Sequence, residues 1–218
     1  MIAPQIPGTY RLSIRALIEG AQWMEDYGVF WYVTVPGTAP AGSLAPLPAR
    51  WPSRAMEIGM SDGPDGAAAL RATAPFGFRY QYLAGGVNTG TGWATWDADA
   101  QFPTNYIRES ASNRLIPVFS YYMIRPSTPG IGMGEADGDL ANLGNASTMA
   151  AYYADLKLFF QRAGAQSGTV TILHVEPDLW GFIHQRYGDD AAAAPAQVGA
   201  SGLAELGIDP AKPEPRTA

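Results

Sequence analysis

Glu176 and Asp178 stand two residues apart at the end of the run Thr169-Val170-Thr171-Ile172-Leu173-His174-Val175-Glu176-Pro177-Asp178-Leu179-Trp180. The run opens with the β-branched residues of a buried strand and closes on two carboxylates, a proline and an indole. A period of two puts Val170, Ile172, His174 and Glu176 on one face, and Asp178 continues that face if the chain stays extended. Pro177 has no N–H to give to a ladder, so regular pairing ends where the acids begin. Two carboxylates sharing a strand end repel each other, which holds a proton on one and leaves the other ionised, as general acid catalysis needs. The alternative is a structural pair, Glu176 bonded to a neighbouring strand and Asp178 capping the helix that follows.

Other residues are candidates for binding. Gly85, Gly86, Gly90 and Gly92 surround Asn88, Thr89 and Thr91, with Trp93 and Trp96 just beyond. No Lys-Ser/Thr follows them, so a phosphate cradle is excluded. Amides, hydroxyls and indoles suit a sugar, whose hydroxyls take hydrogen bonds and whose ring faces stack on aromatic rings. The indoles could equally pack the loop onto a sheet. Tyr122 is placed to orient a substrate or to bond within the sheet, and Trp180 sits beside the acids. Arg79 shares a strand face with Gln81, from which a barrel interior would let it pair with Glu176. His174 reads as a satisfied core histidine supporting the site. His174 and His184 are the only histidines, and a spacing of ten without an i,i+4 pair argues against zinc. Glu135, Asp137 and Asp139 alternate as in a calcium loop, but Ala146 stands where its last glutamate belongs, so a solvated loop is expected.

The elements that must carry these groups alternate. From Pro75 the pattern runs strand (76–83), helix (105–114), strand (116–124), helix and strand. The longest helix is expected to have Ser147 as N-cap, Met149, Tyr152, Tyr153, Leu156, Phe159, Phe160 and Ala163 on its apolar stripe, and Gly164 as its stop. Strands alternating with helices imply a parallel sheet with right-handed crossovers. The fold class is therefore α/β, a partial TIM-like (β/α) barrel with about three parallel strands over 76–190. A closed barrel takes about 250 residues, more than the 218 present. Ahead of it, residues 10–18 and 29–35 read as an antiparallel hairpin, similar to the last two strands of an immunoglobulin-like sandwich and ending a unit over 1–36. Residues 37–75 are rich in Pro and Gly and read as a linker, and 191–218 as a poorly ordered Ala/Pro-rich tail.

Composition sets further bounds. Hydrophobic residues make up 47% of the chain, enough for a core. The formal charge is −6 and the pI about 4.8, with no basic run, so nucleic acid is a poor partner. Cysteine is absent, which removes disulfides and thiol chemistry. Neither a membrane span nor a signal peptide is expected, and no metal or cofactor is called for.

From Ile116 to Trp180 the layout resembles glycoside hydrolase family six, the cellobiohydrolase and endoglucanase family. The resemblance rests on a strand ending near Tyr122, a polar glycine-rich loop over 126–145, the helix over 149–163, and Glu176-Pro177-Asp178 closing the last strand. It implies β-1,4-glucan hydrolysis with inversion, Asp178 as general acid, and an extracellular setting for the intact parent. In that family an acidic Asp-Leu-Pro-Asp-Arg-Asp motif follows the second strand, where this chain has Met123-Ile124-Arg125-Pro126-Ser127. The block over 76–187 more closely resembles uncharacterised bacterial barrel proteins that carry an immunoglobulin-like module in front. The expected function is a β-glucan-directed glycoside hydrolase-like domain with Trp93, Trp96, Asn88, Tyr122 and Trp180 against the sugar. The alternatives are a non-catalytic carbohydrate binder and an inactive truncated product prone to association through open sheet edges.

Overall fold

The computed structural model describes the backbone of residues 8–13, 17–18, 22–23 and 30–35, and residues 57–202 apart from 167, 189, 191 and 192. The chain divides into two compact units, Met1–Met56 and Glu57–Ala218. In the first, β1 (Gly8–Ser13) is followed by the short antiparallel pair β2 (Leu17–Ile18) and β3 (Gln22–Trp23). β4 (Phe30–Val35) then returns against β1, from Gly8 opposite Val35 to Ser13 opposite Phe30. The expected hairpin is present, with a second small one at its turn.

The second unit is mixed α/β. Its elements in chain order are β5 (Gly59–Ser61), α1 (Ala67–Thr73), β6 (Phe78–Leu83), α2 (Phe102–Ser112), β7 (Ile116–Tyr121), α3 (Glu135–Leu143), α4 (Ala146–Gly164), β8 (Ile172–Val175) and α5 (Leu179–Tyr187). The four strands form one parallel sheet in the order β5-β6-β7-β8. The expected count of three misses β5, which lies with α1 inside the stretch read as a linker. Of that stretch and of the tail, residues 37–56 and 203–218 lie outside the described residues, and a short 3-10 turn, Val198–Ser201, falls in the rest.

Sequential order means that each crossover steps the same way across the sheet. Register fixes the two faces. Gln81, Phe119 and Leu173 lie side by side, as do Leu83, Tyr121 and Val175. Leu83, Phe119 and Tyr121 are fully buried against Tyr106 of α2 and Tyr152 and Phe159 of α4, with ring centroids 5.3–5.4 Å apart for the Tyr106–Phe119, Phe119–Phe159 and Tyr121–Tyr152 pairs. Burying each such side chain stabilises by about 1.5–3 kcal/mol. The other face carries Tyr80, Tyr82, Ser120 and His174, and Tyr82 is 44% exposed.

Caps depart from expectation. α4 starts at Ala146, and its N-cap is Asn145, whose Oδ1 accepts from the Thr148 N–H at 3.0 Å; Ser147 is the second residue of the helix, and its hydroxyl donates to the same oxygen. An amide oxygen at N-cap meets the N3 donor that the helix cannot satisfy itself. Arg79 is corrected too. It lies on the helix-covered face, wholly buried, and pairs with Asp62 and Glu109 at 2.7 Å each while stacking on Tyr106, far from any pairing with Glu176.

Candidate functional site: an acid cluster at the strand carboxyl ends

β8 stops at Val175, and the next residue turns the chain. The Glu176 N–H makes the last rung, to the Tyr121 carbonyl at 2.8 Å, and its φ of 44° then swings the backbone out of the extended course. A positive φ is rare for a residue with a β-carbon. Here it folds the Glu176 carboxylate back over the end of β7, where Oε1 accepts from the Met123 and Ile124 N–H groups at 2.9 and 3.1 Å. Those two donors lie beyond the last strand pairing, and burial would leave them unsatisfied without the carboxylate. Glu176 is 2% exposed, and burial pushes it up to about 7, the hydrogen bonds from Met123, Ile124 and Tyr152 holding it back.

The turn separates the two acids that an extended chain would align. Asp178 takes helical backbone angles at the N-cap of α5, is exposed, and makes no capping hydrogen bond. The shared face expected for Glu176 and Asp178 is therefore not formed: one acid braces the backbone inside, the other stands at the rim. Trp180 follows, 58% exposed, its indole N–H tied to the Val175 carbonyl at 2.8 Å.

Asp178 has other company. The Tyr122 hydroxyl, just past β7, donates to Glu135 Oε1. Glu135 opens α3, and Asp139 follows it by four residues, one helical turn along the same face. Asp139 is 3% exposed, and its Oδ1 has no hydrogen-bond partner. Burial first, then the charges of Glu135 and Asp178, push Asp139 up to about 6, with Arg125 pulling the other way. Burial, the Glu135 hydrogen bond, and the charges of Glu135, Asp139 and Asp178 likewise raise Tyr122. The residues expected as a solvated loop are thus a helix, and one of their acids is buried. The spacing of Glu135, Asp139 and Leu143 was the signal for it. α3 is anchored by buried Asn142, whose amide donates to the Ile124 and Ser127 carbonyls at 2.7 and 2.9 Å and whose Oδ1 accepts from Gly130.

The glycine loop after β6 divides the remaining candidates. Trp93 is wholly buried and donates its indole N–H to Asp155 Oδ1 of α4 at 2.7 Å, so it packs the loop and cannot face a ligand. Asn88 spends both ends of its amide on Thr128, donating to its carbonyl and accepting from its N–H at 2.9 Å each, which laces two loops together. Trp96 is 42% exposed, at a cleft of about 340 Å³ lined also by Asp97, Asn105 and Glu109. His174 is exposed on the open sheet face beside Ser120 and not a core histidine. From the rim, Tyr122, Tyr82 and Tyr80 step down that face edge to edge, centroids 6.1 and 6.2 Å apart.

Among the described residues no group of three or more His, Asp or Glu is arranged to hold a metal ion, and no described helix is long and apolar enough to cross a membrane. No protein-family model, curated protein or solved structure matches this chain.

Proposed function

We propose that this chain carries a glycoside hydrolase-like domain, a partial (β/α) barrel acting on a β-linked polysaccharide such as a β-glucan by general acid catalysis. One observation carries the reading: just past the carboxyl end of β7 the Tyr122 hydroxyl donates to Glu135, Asp139 lies one turn further along α3, and Asp178 stands at the N-cap of α5 after β8, the strand ends where α/β folds place their chemistry. Strand order that steps one way, with an uncovered inner face, suits barrel curvature. Exposed Tyr82 and Tyr80, which step down the open sheet face from Tyr122, and exposed Trp180, two residues after Asp178, suit sugar rings.

In this reading Asp178 gives its proton to the glycosidic oxygen as the bond to the anomeric carbon breaks. Water adds to that carbon, and its proton passes to a second carboxylate of the rim. Trp180 and Tyr122 flank the sugar. Glu176, spent on backbone donors, holds the rim's shape. An extracellular setting goes with a polysaccharide substrate. The test is reducing-end release from soluble β-glucans by the full chain. Asp178→Asn is expected to lower turnover about 100-fold or more; an unchanged rate ends the assignment.

A second reading, carbohydrate binding without turnover, draws on the Trp96 cleft, where an exposed indole meets carboxylates and an amide. It calls for glucan binding that Trp96→Ala abolishes and Asp178→Asn leaves intact.

A further inference from the structure

The Ala/Pro-rich stretch after α5 begins by building a wall. The Gln197 N–H donates to the carbonyl of Leu143, the last residue of α3, at 2.9 Å. Ala194, Ala196 and Val198 are half-buried, while Pro195 and Gln197 between them are exposed. The inward side chains close one side of a pocket of about 330 Å³, whose other walls are aliphatic residues of α3, α4 and α5, among them Leu143, Leu156, Leu179 and Ile183. Alanine at 194 and 196 leaves this space free, since larger side chains there would fill it.

One charged residue lines the pocket, and it is Glu176, 2% exposed. Both of its backbone hydrogen bonds, from Met123 and Ile124 at 2.9 and 3.1 Å, end on Oε1. The Tyr152 hydroxyl, in the same lining, supplies a third. A carboxylate has about four acceptor sites, so one is left over. Among the described residues no lysine, arginine or histidine pairs with Glu176: Arg79 is taken by Asp62 and Glu109, and Arg186 by Asp137. Buried carboxylates are ordinarily paired, because neutral donors alone do not offset the loss of water. Water suits this lining poorly. Its side chains offer only Glu176 and two tyrosine hydroxyls, as Trp180 commits its indole N–H to the Val175 carbonyl at 2.8 Å.

We propose that this pocket binds a hydrophobic primary amine, with its ammonium group on Glu176 and its apolar body against α4, α5 and the 194–198 wall. The ammonium supplies both the missing N–H and the missing charge. An alcohol supplies only the first, and an anion neither. The rings of Tyr152, Tyr153 and Trp180 in the same lining favour a cation further. An apolar cavity of about 150 Å³ takes one benzene ring, so roughly twice that volume accommodates a ring with a short chain. The assignment does not depend on the glycoside hydrolase reading.

The test is an NMR titration of the full chain, methyl-labelled, with 2-phenylethylamine and its neutral counterpart 2-phenylethanol. At pH 8 Glu176, pushed up to about 7, is ionised and the amine is protonated. The amine is expected to bind at least tenfold more tightly than the alcohol and to shift the methyls of Leu156, Ile183 and Val198. Glu176→Gln is expected to erase that preference and leave the alcohol's affinity within about twofold. Ala196→Phe is expected to abolish binding of both. Equal affinities for amine and alcohol overturn the proposal, as does a preference that survives Glu176→Gln. Shifts confined to the acidic cleft at Trp96 overturn it as well. So does an affinity that falls as protein concentration rises, the sign of a second copy seated in the pocket. Should Glu176→Gln fail to fold, the amine–alcohol comparison on the wild type and on Ala196→Phe still decides the point.

Discussion

Glu176 performs at the end of β7 the service a further strand would perform in mid-sheet: it supplies acceptors to the Met123 and Ile124 N–H groups. Its kinked backbone is the means, since an extended residue would aim the side chain along the sheet face. Glu176→Ala removes the acceptor from two buried donors, each worth about 1–3 kcal/mol when left unmade. The expected loss is about 2–4 kcal/mol in urea unfolding, whereas Glu176→Gln, which can still accept, should lose less than half as much. Equal losses would show that the carboxylate's shape, not its hydrogen bonds, is what matters. The sequence made this acid conspicuous but not its direction. Alternation predicts which way a strand residue points only while φ remains extended, and nothing in Val175-Glu176-Pro177 announces the left-handed turn. Asp139 was hidden for another reason: Gly130, Gly132, Gly134 and Gly138 make its neighbourhood look like a loop, although acids in the first turn favour a helix start.

At the level of elements, the loop after β6 is held by its glycines unequally. Gly86 has φ of 82°, and a β-carbon there would lie 2.7 Å from the Pro126 carbonyl oxygen; Gly90 has φ of 79° but open space around it. Gly90→Ala should therefore cost only the conformational penalty, about 1–2 kcal/mol. Gly86→Ala adds a backbone collision and should cost clearly more, with the difference read as a larger drop in the urea midpoint. Matching drops would mean that the loop yields freely. The strand–helix alternation from β6 to α5 was legible because each long element carries its own period, as in the apolar stripe of α4. β5 was not: three exposed residues, Gly59, Met60 and Ser61, display no alternation, and pairing with Phe78, Arg79 and Tyr80 alone makes them a strand. The faces of β6 were legible as a period and misread as to side. Arg79 could be assigned to the helix layer only by knowing that Ser110, Glu109 and the Tyr106 carbonyl of α2 would receive it.

For the molecule as a whole, buried acids set the response to pH. Glu176 is raised from 4.5 to about 7 and Asp139 from 3.8 to about 6. The folded state therefore binds more protons than the unfolded chain between those limits, and stability falls as pH rises through them. For Glu176 alone the loss is roughly 3 kcal/mol by pH 8. Glu109 acts oppositely. Burial works against its charge, but hydrogen bonds from Arg79 and the Ala67 and Asp65 N–H groups bring it below its usual range, so its contribution is lost on strong acidification. Thermal midpoints should peak near pH 5 and decline toward pH 8, and Glu176→Gln should flatten the decline. A wild-type midpoint constant across that range would contradict the burial assigned to both acids.

Asp155 gives the architecture one more consequence. This α4 carboxylate takes the Trp93 indole N–H and the Tyr121 hydroxyl on the same oxygen, so the loop that presents Trp96 is moored to the outer helix layer through β7. Substitutions at 155, which is not among the residues lining the Trp96 cleft, should consequently behave in a genetic screen like lesions of that cleft, because the outer layer dictates where Trp96 stands.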